Sequence, residues 1–423
     1  MRYVIVGNSA AGVSALEAIR EVDQQGEVSV VSNEPYPAYG RVFITRVLRG
    51  DCELHDILTR PKDFYEKLRC RVFLGDAATE LDPVRKQVTL SSGRVLSYER
   101  LLLATGASAY IPTIPGIELD GVRSLRTIDD SREILRHAKT ARHAVVMGGG
   151  PVGLHSAEAF LKHGIKVTLV IASDHVLSAL APKEATAMME KSIVARGARL
   201  VFGQSVVEVF GEKRVQGVTL DNGQSIPGDM VIVGKGVMPN MGLTCESKIK
   251  RGVGIRVDSH QQTDEPDIYA AGDVTESYDL IRKGPRLNAM WPNAVFQGRI
   301  AGLNMAGGSA TNPGCVNVNT GEVFGVPFAI VGFSSRERIQ CREIQLRGIR
   351  GYGRVIVSEK LDGIQRLLGA VLIGNTRGAG VLHALIRGRI NVTPCLDEIV
   401  TSNFSYSALV GSVRKLLRSE AER

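Results

Sequence analysis

The sequence predicts an α/β fold that holds two copies of one strand–turn–helix–strand unit. Three observations lead there. Residues 3–12 read Tyr-Val-Ile-Val-Gly-Asn-Ser-Ala-Ala-Gly, and residues 144–153 read Ala-Val-Val-Met-Gly-Gly-Gly-Pro-Val-Gly. Each turn is followed by a helical pattern, Val13 to Val22 and Leu154 to His163, then by a second apolar run, Val28 to Ser32 and Lys166 to Ile171. Further on, Ile-Tyr-Ala-Ala-Gly-Asp273 has the pattern of a buried strand that delivers Gly272 and Asp273 to one point.

The chemistry of the first turn points to a dinucleotide. Gly7 allows the tight bend, Ser9 is small enough for the backbone to approach a pyrophosphate, and Gly12 lets the helix pack on the strand. The N-terminus of the helix that follows offers unpaired N–H groups and a positive dipole end to the phosphates. Glu34 lies 27 residues after Gly7 and is placed to accept hydrogen bonds from an adenosine ribose. One such turn is weak evidence; two in the same context are strong.

The second turn repeats the cradle with Gly148, Gly150, Pro151, Val152 and Gly153. Its following strand ends at Ile171, Ala172 and Ser173, with no carboxylate for a ribose 2′-hydroxyl and no Arg for a 2′-phosphate. The choice between NADH and NADPH is therefore open. Closing strands follow in both copies, Leu101 to Gly106 and Val231 to Gly236. Asp273 can accept from a ribityl hydroxyl while Gly272 permits close backbone approach. Trp291-Pro-Asn293 starts a helix to about Met305, whose N-terminus can face a flavin pyrimidine ring.

Composition narrows the class. A chain of 423 residues has room for two to four domains. No run of about 18 apolar residues is present, which argues against a membrane span. Arg2 to Val6 already read as the first strand, so no leader is expected and the expected location is cytoplasmic. The six cysteines Cys52, Cys70, Cys245, Cys315, Cys341 and Cys395 show no CxxC spacing, which argues against a metal knuckle, an Fe–S cluster or a local dithiol. Net charge is +8, and residues 313–423 carry 15 Lys and Arg against 9 Asp and Glu. No basic run is interleaved with aromatics as in nucleic-acid binders, so an acidic protein partner is the better expectation.

Taken together, these residues resemble the FAD-dependent pyridine nucleotide–disulfide oxidoreductase superfamily over essentially the whole chain. They are most similar to rubredoxin and ferredoxin reductases, NADH oxidases and the flavin module of NADH-dependent nitrite reductase. The run from Asn288 to Gly307 and Gly374-Asn-Thr-Arg-Gly-Ala-Gly380 carry the last likeness. The resemblance implies two Rossmann-like domains plus a C-terminal α+β domain. An FAD domain would span 1–110 and 243–312, an NAD(P)-type domain 111–242, and an interface or dimerisation domain 313–423. It implies FAD contacts at Gly7, Ser9, Ala10, Ala11, Gly12, Glu34, Arg41, Arg46, Ala78, Thr105, Gly106, Asp273 and Val274.

Two departures shape the expected chemistry. Relatives that reduce disulfides or peroxides carry a Cys shortly after the Tyr-x-Arg segment; here Val42 to Arg46 contains none, and Cys52 lies beyond it. Where many relatives have a Glu after Gly-Leu in the second turn, this chain has His155, a residue that either contacts nicotinamide or serves structure. The expected function is an enzyme passing electrons from NAD(P)H through FAD to an acidic Fe–S or rubredoxin-like protein, with no catalytic side chain and no metal. The alternatives are an electron-transfer or structural subunit with a degenerate nucleotide site and, more weakly, a peroxide-forming NADH oxidase. A homodimer or heteromeric complex fits the C-terminal domain.

Overall fold

The structure is a computed structural model, and it describes residues 1–245, 247–334, 340–347 and 350–401. The elements that bear on the site are, in chain order, β1 (Arg2–Val6), α1 (Ala10–Val22), β2 (Glu27–Ser32), β3 (His143–Met147), α2 (Pro151–Lys162), β4 (Lys166–Ile171), β5 (Thr275–Asp279), β6 (Gly284–Leu287) and α3 (Trp291–Met305). The chain divides into two compact units. One holds Met1–Val47, Asp51–Ala109 and Val237–Cys315; the other holds Leu48–Gly50, Tyr110–Gly236 and the chain from Val316 onward. Residues expected as separate nucleotide and C-terminal domains thus cluster in one unit.

The first unit is built on a five-stranded parallel sheet in the order Ile268–Ala270, Arg100–Leu103, β1, β2, Cys70–Leu74. Val4, Ile5, Val28, Val30 and Leu101 to Leu103 are all at most 2% exposed, as expected of strands covered on both faces. On one face lies α1, and α3 packs closely against it. That approach depends on small residues. A Cβ on Gly298 would collide with the Ala11 carbonyl, and one on Gly302 with that of Ala15. The two spacings of four residues stack Gly298 and Gly302 along one face of α3, and Ala11 and Ala15 along the facing side of α1.

The second unit repeats that sheet: Arg199–Phe202, β4, β3, Met230–Val233, Val122–Ser124, again parallel. The repeat also extends further than the glycine turns reveal. Each module inserts a three-stranded antiparallel sheet ahead of its closing strand, Ala78–Asp82 with Gln87–Leu90 and Val95–Ser97, and Val206–Gly211 with Val215–Leu220 and Ser225–Pro227. The signal is visible in hindsight as Val88-Thr-Leu-Ser-Ser-Gly93 against Val218-Thr-Leu-Asp-Asn-Gly223. This unit also contains a five-stranded antiparallel sheet ordered Val318–Val323, Val326–Gly332, Leu367–Ile373, Tyr352–Ser358, Cys341–Gln345, with the helix Ala379–Arg387 against it.

Candidate functional site

In the first unit the turn between β1 and α1 has the shape a diphosphate needs. Gly7 has φ +127°, a region closed to side chains, and a Cβ there would strike the carbonyl oxygen of Ala104. Gly12 must also be glycine, because a Cβ would strike the Gly7 carbonyl. Ser9 caps α1 without a side-chain hydrogen bond, and the first turn of the helix carries no acidic residue. The first N–H groups of α1, beginning at Ala10 and Ala11, therefore remain available to an anion. These residues fit a dinucleotide diphosphate.

Glu34 is 8% exposed, accepts a 2.6 Å hydrogen bond from the Tyr39 hydroxyl, and is ion-paired to Arg41. The Arg41 guanidinium lies over the Tyr39 ring at 5.1 Å. The family resemblance implies separate FAD contacts at Glu34 and Arg41; here the two side chains bind one another, so the arginine holds the carboxylate in position. Arg46 lies over the Phe43 ring at 5.9 Å. Ala78 opens the small antiparallel sheet of this unit.

Thr105 and Gly106 stand where the chain leaves the first module, and Asn240 ties them to the segment that returns. The Thr105 hydroxyl donates to the Asn240 carbonyl at 2.7 Å, the Asn240 amide donates to the Thr105 carbonyl at 2.9 Å, and the Asn240 N–H donates to Gly106 at 2.9 Å.

Gly272, Asp273 and Val274 follow the strand Ile268–Ala270. Gly272 has φ +85° and sits so tightly between the first turns of α1 and α3 that an added Cβ would lie 3.2 Å from the Ala11 methyl and 3.5 Å from that of Ala294. Val274 is fully buried and Asp273 is half-buried. Trp291 is the first residue of α3, with Pro292 in the first turn, and packs against the core of this unit.

The residue that organises this junction was missed in the sequence. Gln297, 1% exposed, accepts from the Gly272 N–H at 2.7 Å and the Thr275 hydroxyl at 3.0 Å. It donates to the Ser277 hydroxyl at 3.0 Å and the Cys315 sulfur at 3.2 Å. One carboxamide thus fixes the Gly272–Asp273 turn to α3 and β5.

The second unit holds the matching cradle. Gly148 and Gly153 repeat the collisions of the first turn, with the carbonyls of Gly234 and Gly148 respectively. Gly150 caps α2, Pro151 is its first residue, Val152 is exposed, and the first turn again lacks an acid. Ile171 fills the space above the turn, and a Cβ on Gly149 would lie 3.1 Å from it. Gly236 has φ +94° and its carbonyl accepts from Tyr110 N–H at 2.9 Å. Beside it, burial pushes the Lys235 ammonium below its ordinary value.

His155 points toward a charged cluster in this unit. Glu158 pairs with Arg49 at 2.9 Å and Arg196 at 3.4 Å and accepts from the Phe324 N–H at 2.9 Å. The His155 Nδ1 is 4.0 Å from Glu158 and has no hydrogen-bond partner among the described residues. Burial first, and the nearby Arg49 second, push its pKa down to about 4, so the imidazole is neutral.

Comparison with known proteins agrees with this geometry. The family model described as pyridine nucleotide-disulphide oxidoreductase matches residues 1–298. The NADH-dependent phenylglyoxylate dehydrogenase subunit epsilon of Aromatoleum evansii is 32% identical over 404 residues, covering 95% of each chain. The 5,5'-dehydrodivanillate O-demethylase ferredoxin reductase subunit of a Sphingobium species is 32% identical over 308 residues, 72% of this chain and 75% of that one. Among solved structures, a NAD-dependent persulfide reductase from A. fulgidus superposes with a TM-score of 0.87 at 27% identity, over 94% of this chain and 79% of that one. Among the described residues, no helix is long and apolar enough to cross a membrane.

Proposed function

Because this chain belongs to the pyridine nucleotide-disulphide oxidoreductase family and is an oxidoreductase with FAD and NAD(P)H as its cofactors, we propose that it delivers electrons to a separate acidic protein of the ferredoxin or rubredoxin kind. The observation that carries this reading is the pairing of two glycine-turn phosphate cradles with a Tyr39–Arg46 segment that contains no Cys. Cys52 is the cysteine nearest the Tyr39–Arg46 segment, and burial pushes its thiol above the ordinary value, the reverse of what a redox-active thiolate requires. FAD held there would supply hydride acceptance from reduced nicotinamide and release of single electrons, chemistry that suits a one-electron acceptor.

The residues supply binding and position. The N-termini of α1 and α2 hold the two diphosphates, Glu34 the adenosine ribose of FAD, and Asp273 its ribityl chain. The remaining predicted contacts, Arg46, Ala78, Thr105, Gly106, Val274 and Trp291, line the rest of the flavin's path. His155, kept neutral, adds no charge beside the nicotinamide. The basic composition of residues 313–423 favours encounter with an acidic carrier, raising on-rate more than affinity.

The relative matched along nearly its whole length is itself a subunit, and the ferredoxin reductase relative is another. A permanent partner subunit is therefore as suitable an acceptor as a diffusing one. Anaerobic titration of the purified protein with NADH, and separately with NADPH, tests the reading. The oxidised-flavin absorbance should bleach rapidly and recover when an acidic ferredoxin or rubredoxin is added. No bleaching with either nucleotide overturns the proposal, and rapid oxygen consumption without any partner replaces it with an oxidase.

A further inference from the structure

A buried carboxamide stands unmatched at the start of α3. Asn288 is 6% exposed, yet neither its amide nitrogen nor its carbonyl oxygen has a hydrogen-bond partner among the described residues. Its backbone is engaged, since the Asn288 main-chain carbonyl accepts from Met290 N–H at 2.7 Å. A carboxamide offers two N–H donors and an acceptor oxygen, and folded proteins rarely bury all of these unused.

Its position explains what could use them. Leu287 pairs with Glu276 at the end of the β5–β6 ladder, so Asn288 stands one step further along, beside Thr275. The Thr275 hydroxyl donates to the Gly272 carbonyl at 2.8 Å. On the other side Met290 caps α3, and its carbonyl receives the N–H of Ala294, whose methyl lies against Gly272. Asn288 therefore occupies the seam where the Gly272–Asp273 turn meets the N-terminus of α3.

We propose that the Asn288 side chain binds the polar pyrimidine edge of the flavin ring. That edge alternates carbonyl oxygens with an N–H, so an unspent donor beside an unspent acceptor is its complement. The inference rests on the assignment of this site to FAD, and it adds a residue that fixes the ring itself.

The test is Asn288→Leu, close in size and unable to hydrogen-bond, studied as apoprotein and after reconstitution. FAD affinity should fall about tenfold, the loss expected for a hydrogen-bonding group in a binding site. The apoprotein should melt at or above the wild-type temperature, because an unpaired buried amide has been replaced by an apolar group. With ¹⁵N-labelled flavin, the ring N3 resonance should move toward its free-solution position. FAD affinity within twofold of wild type, an unchanged N3 resonance, or an apoprotein less stable than wild type would show that the amide serves only the protein's own packing. Asn288→Ala, read the same way, settles the matter should the leucine variant not fold. Wild-type apoprotein that fails to take up FAD would sink the site assignment itself, an outcome distinct from these.

Discussion

Replacing Gln297 with leucine should cost the first unit about 1–3 kcal/mol. The magnitude follows from what each of its four partners has left. Gln297 is 1% exposed, so water cannot substitute. The Gly272 N–H loses its acceptor at 2.7 Å, and a buried donor left unmatched costs about 1–3 kcal/mol. Thr275 keeps the Gly272 carbonyl at 2.8 Å, Ser277 keeps Thr275 at 3.2 Å and the Cys315 sulfur keeps the Asn312 amide at 3.8 Å, so those three lose little. Leucine recovers part of the loss by burying apolar surface. For a unit of 150–250 residues, about 2–4 °C per kcal/mol gives a fall in Tm of about 2–12 °C. The assay is a thermal scan followed by release of flavin fluorescence, which reports this unit separately from the other. A transition within about 1 °C of wild type would refute the reasoning, since the Gln297–Gly272 bond would then not organise the turn.

The second site offers two further predictions. Ser173→Glu supplies, two residues past the end of β4, the carboxylate that Glu34 supplies two residues past the end of β2, and should lower KM for NADH about tenfold, the scale of one hydrogen bond to a charged group. KM for NADPH should stay level or rise, and an equal fall for both nucleotides would rule out a ribose contact. His155 predicts a pH effect: its pKa is about 4 in the folded protein against an ordinary 6.5, so the unfolded chain binds more protons between those values. Stability is therefore fully present above pH 6.5 and falls as pH drops toward 4, by about 3 kcal/mol from this group. Urea unfolding at stepped pH should show that slope in wild type and not in His155→Gln; identical slopes would show that other groups dominate.

The strand–turn–helix repeats were legible because glycine spacing and apolar runs answer to local geometry. Gly7, Gly12, Gly148 and Gly153 are each required by a carbonyl that a Cβ would strike, and such requirements leave a fixed pattern in the chain. The supports of the site were not legible. Gln297, Asn293 and Asn304 are polar residues of α3, yet all are buried, and no apolar periodicity marks such positions. Asn304 spends its amide on the carbonyls of His260 and Ala310, at 2.9 and 2.8 Å. Arg41 stands in the sequence only as an FAD contact that the family resemblance implies. Its pairing with Glu34 depends on how residues 35–40 fold back, which no periodicity encodes.

The strand Ile268–Ala270 has a consequence for how the molecule forms. It pairs with Arg100–Leu103, so the register Leu101 with Ile268 spans the entire inserted module. The first parallel sheet cannot be complete, nor Asp273 delivered, until synthesis has passed residue 273. The second parallel sheet draws all its strands from residues 122–233, and so has its full complement before the first does. Long-range pairing carries a loop-closure entropy that slows folding. Emergence from the ribosome therefore lets the later-starting sheet finish first, before the flavin cradle can be completed.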